Sequence, residues 1–272
     1  MEATALPAAR RLWTALAAPA PPFPTTPGGR AVAVSPDSRL APPGWAGIVV
    51  LADTALITVP DEDTATAVRR ALPALPGAAL TDPDAVRAAL PVDDVLGPAA
   101  LAYAPPTGFR PDPDAAAGTV PPDDPGLARL LAESGADDAG ESGLDEVTSP
   151  VSVLRDGPRI VAAAGHSIWP AGTAHVSVLV APDARRRGLA RRVGSAAVSR
   201  ALADGLLPQW RARPEASRRV ARALGLHELG SQLSVRLAPA APRLTDARRP
   251  RPSAPPTAPT GAPPPPGPAP TA

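Results

Sequence analysis

The segment of this chain best equipped for chemistry is VSVLVAPDARRRGLARRV, residues 176–193. An apolar strand ends at Val180, Pro182 stops its ladder, and the arginine-rich turn Arg185–Arg187 leads into a helix opened by Gly188. A strand–turn–helix junction leaves the first helical N–H groups unpaired and aligned with the positive end of the helix dipole. Such a junction binds phosphate. Gly188 lets the backbone approach a ligand closely, and Ala190 keeps the next turn small enough for a diphosphate to lie against it. The chemistry implied by Arg185, Arg186, Arg187, Gly188, Leu189 and Ala190 is therefore the grip of a polyanion.

Other chemistries are excluded by composition. The 272 residues include no cysteine, which removes disulfides, thiolate metal sites and a cysteine nucleophile. The 3 histidines, His166, His175 and His227, have no metal-ligand spacing, so no metal is expected. All 27 basic residues are arginine, and with the Ala/Pro/Gly bias this points to a GC-rich bacterial genome. Residues 181–272 hold 16 of those arginines against 5 acidic residues. That basic third fits a phosphate-rich cofactor, a nucleic acid or a membrane surface. No apolar run approaches the roughly 20 residues of a bilayer span, so a cytoplasmic protein without a membrane partner is expected.

The elements that must hold the loop follow from patterning. Residues 1–30 read as a disordered Ala/Pro-rich start, with one short helix possible over 8–17. Residues 31–125 read as a small α/β unit plus linker. It contains a hairpin of Trp45–Leu51 and Ala55–Val59, a helix capped by Asp61, a second helix over Thr81–Leu90, a strand over Ala99–Tyr103 and a Pro/Asp/Gly-rich linker over 104–125. Residues 126–238 read as a second α/β unit. A helix over Gly126–Ser134 and an acidic loop over 135–146 precede the hairpin of Val151–Leu154 with Ile160–Gly165. Then follow the strand Ala174–Val180, the helix Arg187–Asp204, the strand Leu206–Arg213, a helix over Glu215–Leu224 ended by Gly225, and the strand Gln232–Leu237. Residues 239–272 read as a disordered, Pro-rich tail with polyproline II character.

Arg185-Arg186-Arg187-Gly188-Leu189-Ala190 resembles the Arg/Gln-x-x-Gly-x-Gly/Ala loop of the GNAT N-acetyltransferase superfamily. The run LLPQWRARPEASRRVARALGL, with Ser217, Leu224, Gly225 and Leu226 in matching places, resembles that family's second core segment, and HELGSQLSVRL its closing strands. The resemblance covers about residues 126–238. It implies an α/β fold (α+β mixed) with a central mixed sheet flanked by helices, preceded here by the small N-terminal unit and bounded by disordered ends. It also implies acetyl-CoA as co-substrate, held by the loop and by backbone groups of Val178, Leu179 and Val180, with Ser217 donating toward the coenzyme's sulfur or phosphates and Arg191 and Arg192 within reach of those phosphates. The implied reaction is direct transfer of an acetyl (acyl) group to an amine, from a small molecule or a peptide.

The chain departs from the family at the acid and the base: the usual tyrosine falls at Ala221 and the usual glutamate at Ala174. Candidates to replace them are His175, whose ordinary pKa lies near neutrality, and Glu141, whose carboxylate can draw in a cationic amine or take its proton. Ser217 completes the catalytic set, and His166 is a candidate for the lining of the acceptor cleft. Two rival readings follow: a catalytically degenerate acyl-CoA-binding scaffold or sensor, and a basic nucleic-acid-binding protein. The 3% aromatic content argues against nucleic acid, because it leaves few stacking platforms.

Overall fold

The structure is a computed structural model and describes residues 5–105, 107–115 and 118–238. The Pro-rich tail expected over 239–272 lies outside the described residues.

The chain opens with helix α1 (Ala5–Leu16), followed by strands β1 (Arg30–Val34), β2 (Ala46–Leu51) and β3 (Thr54–Val59). Helices α2 (Glu62–Ala71) and α3 (Pro83–Ala89) lead to β4 (Val92–Tyr103) and the short β5 (Gly118–Val120). Helices α4 (Pro125–Ser134) and α5 (Ala136–Ser142) precede β6 (Val151–Asp156), β7 (Arg159–Trp169) and β8 (Thr173–Val180). Helix α6 (Leu189–Ala203), strand β9 (Leu207–Ala212), helix α7 (Glu215–Ala223) and strand β10 (His227–Leu237) complete the order.

All ten strands join one mixed sheet in the order β1-β3-β2-β10-β4-β9-β8-β7-β6-β5. The expected partition into units over 31–125 and 126–238 is therefore corrected. Strand β4, from the first half, lies between β9 and β10 of the second, and β10 in turn pairs with β2. Local periodicity reveals most of the strands but not their partners, and here the partners cross the expected boundary.

The expected disordered start is corrected too. Helix α1 repeats apolar residues at Ala5, Ala9, Leu12, Trp13 and Leu16, and all five are buried. That stripe gives the segment enough apolar area to offset the entropy of ordering it. It packs in one cluster with Leu40, Val49, Leu51, Leu56, Leu101 and Tyr103, while Ile48, Val50 and Ile57 join a second cluster with α2 and α3. Strand β2 is thus buried on both faces, and it reads as a continuous apolar run (AGIVVL) for that reason.

Several local expectations hold. Asp61 caps α2, accepting the Thr64 N–H at 2.7 Å. Gly225 follows α7 with φ +81°, and a Cβ there would meet the Gly108 carbonyl oxygen at 2.1 Å. The described residues of the stretch over 104–125 form a packed strap rather than a free linker. Arg110 N–H bonds the Leu224 carbonyl at 2.9 Å, Asp112 N–H bonds Ser195 Oγ at 2.8 Å, and the Asp112 carboxylate pairs with Arg191 at 3.1 Å. The acidic run expected to be a loop over 135–146 contains α5, a helix that buries no residue of its own. No helix among the described residues is long and apolar enough to cross a membrane.

Candidate functional site

Strands β8 and β9 run parallel and pair only over Thr173–His175 with Leu207–Gln209. Beyond that each keeps its outer neighbour. The β8 stretch to Val180 stays with β7, and β9 to Ala212 stays with β4. The two therefore part like an opened zip, and the inward-facing backbone groups of Val176–Val180 lose their ladder. A cleft of about 560 Å³ occupies the opening, lined by Val178, Leu179 and Val180 on one side and by Trp210, Ser217 and Val220 on the other.

The floor of the cleft is the turn after β8. A single 3-10 turn over Pro182–Ala184 comes first, then Arg186 at φ +62° and Gly188 at φ +76° reverse the chain into α6. No side chain caps α6. The earliest helical hydrogen bonds are those of Arg191 and Arg192 N–H to the Gly188 carbonyl, at 3.1 and 3.3 Å. The N–H groups of Leu189 and Ala190 precede them and point out of the helix end. A Cβ on Gly188 would meet nothing within 4 Å, so its left-handed backbone and the open space over it, rather than close packing, call for glycine.

Arginines ring the cleft in different states. Arg185 donates from Nε to the Val180 carbonyl at 3.3 Å and pairs with Asp138 of α5, tying loop to strand and helix. Arg191 is held by Asp112. Arg186 and Arg219 also line the cleft and form no ion pair among the described residues. Ser217 Oγ accepts the Trp210 indole N–H at 2.9 Å, which leaves the serine's own O–H able to donate.

A second pocket of about 120 Å³ adjoins the first and shares Glu141, Ser142, Val176 and Arg211 with it. Its other walls are His175, Glu146, Arg213, Gln232 and the β4 residues Leu96, Gly97 and Ala99. His175 Nδ1 meets Gln209 Oε1 at 2.6 Å, and its ring stacks on Trp169 with centroids 3.9 Å apart. Burial, reinforced by the Arg211 charge and opposed by the Gln209 hydrogen bond, pushes the imidazole down from its ordinary value to about 4. Behind it, burial raises the Tyr103 phenol, which accepts the Trp13 indole N–H at 2.7 Å.

Most residues expected from the sequence meet here. Val178, Leu179, Val180, Arg185, Arg186, Gly188, Leu189, Ala190, Ser217 and Glu141 surround the larger cleft, and Arg187 alone of the loop does not line it. His175 lies in the adjoining pocket, where Glu141 also reaches while paired with Arg213. His166 is buried in β7 and lines neither pocket, and Arg192 turns away to the Asp114 carbonyl at 2.8 Å. Sequence reasoning missed Asp138, Gln209 and Arg211. The period-2 alternation of LPQWRA sets Gln209 and Arg211 on the face opposite Trp210, and a charge inside a central strand is the signal that could have drawn notice.

Residues 151–231 match the family model described as GNAT acetyltransferase. That segment spans β6 to the first half of β10 and contains the parted strands, the loop, α6 and α7. Residues 151–231 are thus similar to a GNAT acetyltransferase domain, and they lie in a large mixed sheet flanked by helices.

Solved structures resemble the chain as well. A GNAT-family protein from Novosphingobium aromaticivorans is 22% identical, with 53% of this chain and 65% of that one covered and a TM-score of 0.41. A GNAT-family acetyltransferase from Colwellia psychrerythraea is 12% identical, with 53% and 57% covered and a TM-score of 0.42. A GCN5-related N-acetyltransferase from Kribbella flavida is 18% identical, with 52% and 58% covered and a TM-score of 0.43. The chain thus spans less than two thirds of the length of each. No curated protein matches it.

Proposed function

We propose that this protein is a cytoplasmic acyl-CoA-dependent N-acetyltransferase that passes an acetyl (acyl) group directly to an amine. The observation that carries this reading is the cleft between β8 and β9, closed at one end by the uncapped N-terminus of α6 at Gly188. Unpaired strand amides along an apolar wall suit an extended pantetheine arm. The free N–H groups of Leu189 and Ala190, with the unpaired Arg186 and Arg219, suit a diphosphate. The coenzyme supplies the acyl group as a thioester.

The chain's own residues then do four things. The inward amides of Val176–Val180 bind the thioester carbonyl and stabilise the oxyanion that develops on it. Glu141, at the junction of the two pockets, attracts the cationic amine and receives its proton through water. His175, kept neutral by burial, orients the amine as a hydrogen-bond acceptor and is too weak a base to take its proton alone. Ser217 donates toward the departing sulfur. The amine nitrogen forms its bond to the acyl carbon as the carbon–sulfur bond breaks, and the thiolate leaves.

Calorimetric titration of acetyl-CoA into wild type and Gly188→Trp tests the site. The variant should lose at least about tenfold in affinity, roughly 1.4 kcal/mol, because an indole over the α6 N-terminus covers the amides. Equal binding by both proteins removes the loop from the site.

One observation favours the degenerate acyl-CoA-binding scaffold as the second reading. Ala174 and Ala221, at the family's base and acid positions, are both buried, with no ionisable group at either place. A protein that binds acetyl-CoA yet releases no thiol with any amine of a broad panel belongs to that class.

A further inference from the structure

The smaller pocket carries a charge that its own walls leave unanswered. Arg211 rises from β9 into the junction of the two cavities. Arg211 lines both cavities, and among the described residues it forms no ion pair. Its contacts are one long hydrogen bond, from Nη1 to Gln232 Oε1 at 3.4 Å, and the face of Trp169 at 5.8 Å from the ring centroid. Five N–H donors with one long acceptor leave most of the fork unused. The group is crowded enough that desolvation lowers its pKa, with Arg213 adding to the effect and Glu141 and Glu146 opposing it.

The neighbours decide what would answer the charge. Arg213 is already neutralised by Glu141. Glu146 forms no ion pair among the described residues, yet acts on Arg211 through charge alone. Gln232 is fixed by its own Nε2, which donates to the Leu40 carbonyl at 2.6 Å, so its Oε1 aims Arg211 rather than following it. A positioned, unpaired cation thus faces an unpaired anion across about 120 Å³. A guanidinium fork takes a carboxylate through two parallel hydrogen bonds, and desolvation strengthens that pairing.

We propose that the acceptor is a small amine bearing its own carboxylate, with the carboxylate on Arg211 and the nitrogen toward Glu146 and Glu141. This rests on the acyltransferase reading and narrows it: a free amino acid fits, and a simple alkylamine lacks the group that Arg211 recognises.

The test is calorimetric titration of the full chain, saturated with CoA, with glycine, β-alanine, alanine, serine, threonine, aspartate and glutamate, each against its own carboxamide. At least one acid should bind about tenfold or more tighter than its amide, since only the acid offers the charge-assisted pair. Arg211→Gln should abolish that preference, and Arg211→Lys should keep part of it as a control for the pocket's integrity. Acid and amide binding alike, or no acid binding in the millimolar range, overturns the proposal. So does a preference that survives in Arg211→Gln. Acetyl-CoA is titrated separately into wild type and Arg211→Gln. Failure of wild type to bind it rejects the coenzyme reading instead, and a large loss in the variant assigns the guanidinium to the coenzyme.

Discussion

Burial holds the His175 imidazole near 4, and the sign of that shift has a consequence for stability. The unfolded chain takes up a proton near pH 6.5, whereas the folded chain resists it until about 4. Between those values the unfolded state binds more protons, so stability rises with pH there. The stabilisation from the neutral ring is fully present above 6.5 and is lost as pH falls toward 4, by roughly 3 kcal/mol at most. Urea unfolding of wild type and His175→Gln at several pH values should show the difference between them shrinking across that window. A pH-independent difference would mean that the ring titrates normally.

The same residue marks what one chain of letters can reveal about a site. The loop Arg185–Ala190 was legible because every part of it is local: strand end, proline, glycine and helix start follow one another. His175, Gln209 and Arg211 come together only because β8 and β9 lie side by side, and no spacing in the sequence encodes that adjacency.

At the scale of elements, legibility followed the strength of the local signal. Helix α2 announced itself through Asp61 and an apolar stripe. Only the last part of β4 was found, over Ala99–Tyr103, because Pro91, Asp93, Asp94, Gly97 and Pro98 disrupt the preceding pattern. Pairing with β10 carries the strand back to Val92 through register shifts. Helix α1 was legible only as a short helix over 8–17 within a stretch read as disordered, because flanking prolines mask the buried Trp13 that anchors it. The Trp13 ring bonds Tyr103, meets Trp169 edge-on at 6.5 Å, and is fully enclosed. Trp13→Ala should therefore cost about 3–5 kcal/mol, the usual range for emptying a large aromatic site in a core. A shift in urea midpoint at constant slope checks this. A loss below about 0.5 kcal/mol, ordinary for an exposed residue, would return the segment to the disordered class.

For the whole molecule, the decisive feature is that the GNAT-type segment does not complete its own sheet. Residues 126–238 without the first half would leave β10 with neither of its neighbours and β9 paired only at its start with β8. They would also lose Leu101 and Tyr103, which close the core beneath Leu229, together with Leu96, Gly97, Ala99 and the Leu40 carbonyl that shape the smaller pocket. The larger cleft is lined by residues of the second half alone, whereas the smaller pocket is built by both. The first half thus shapes the smaller pocket as well as the fold. Expressed alone, residues 126–238 should give no cooperative thermal transition and no acetyl-CoA binding, since two unpaired strand edges and an uncovered apolar face cannot hold a unique packing. Circular dichroism melting with calorimetric titration decides it. A sharp transition accompanied by wild-type coenzyme affinity would mean that the segment is autonomous and that the first half contributes only the acceptor's wall.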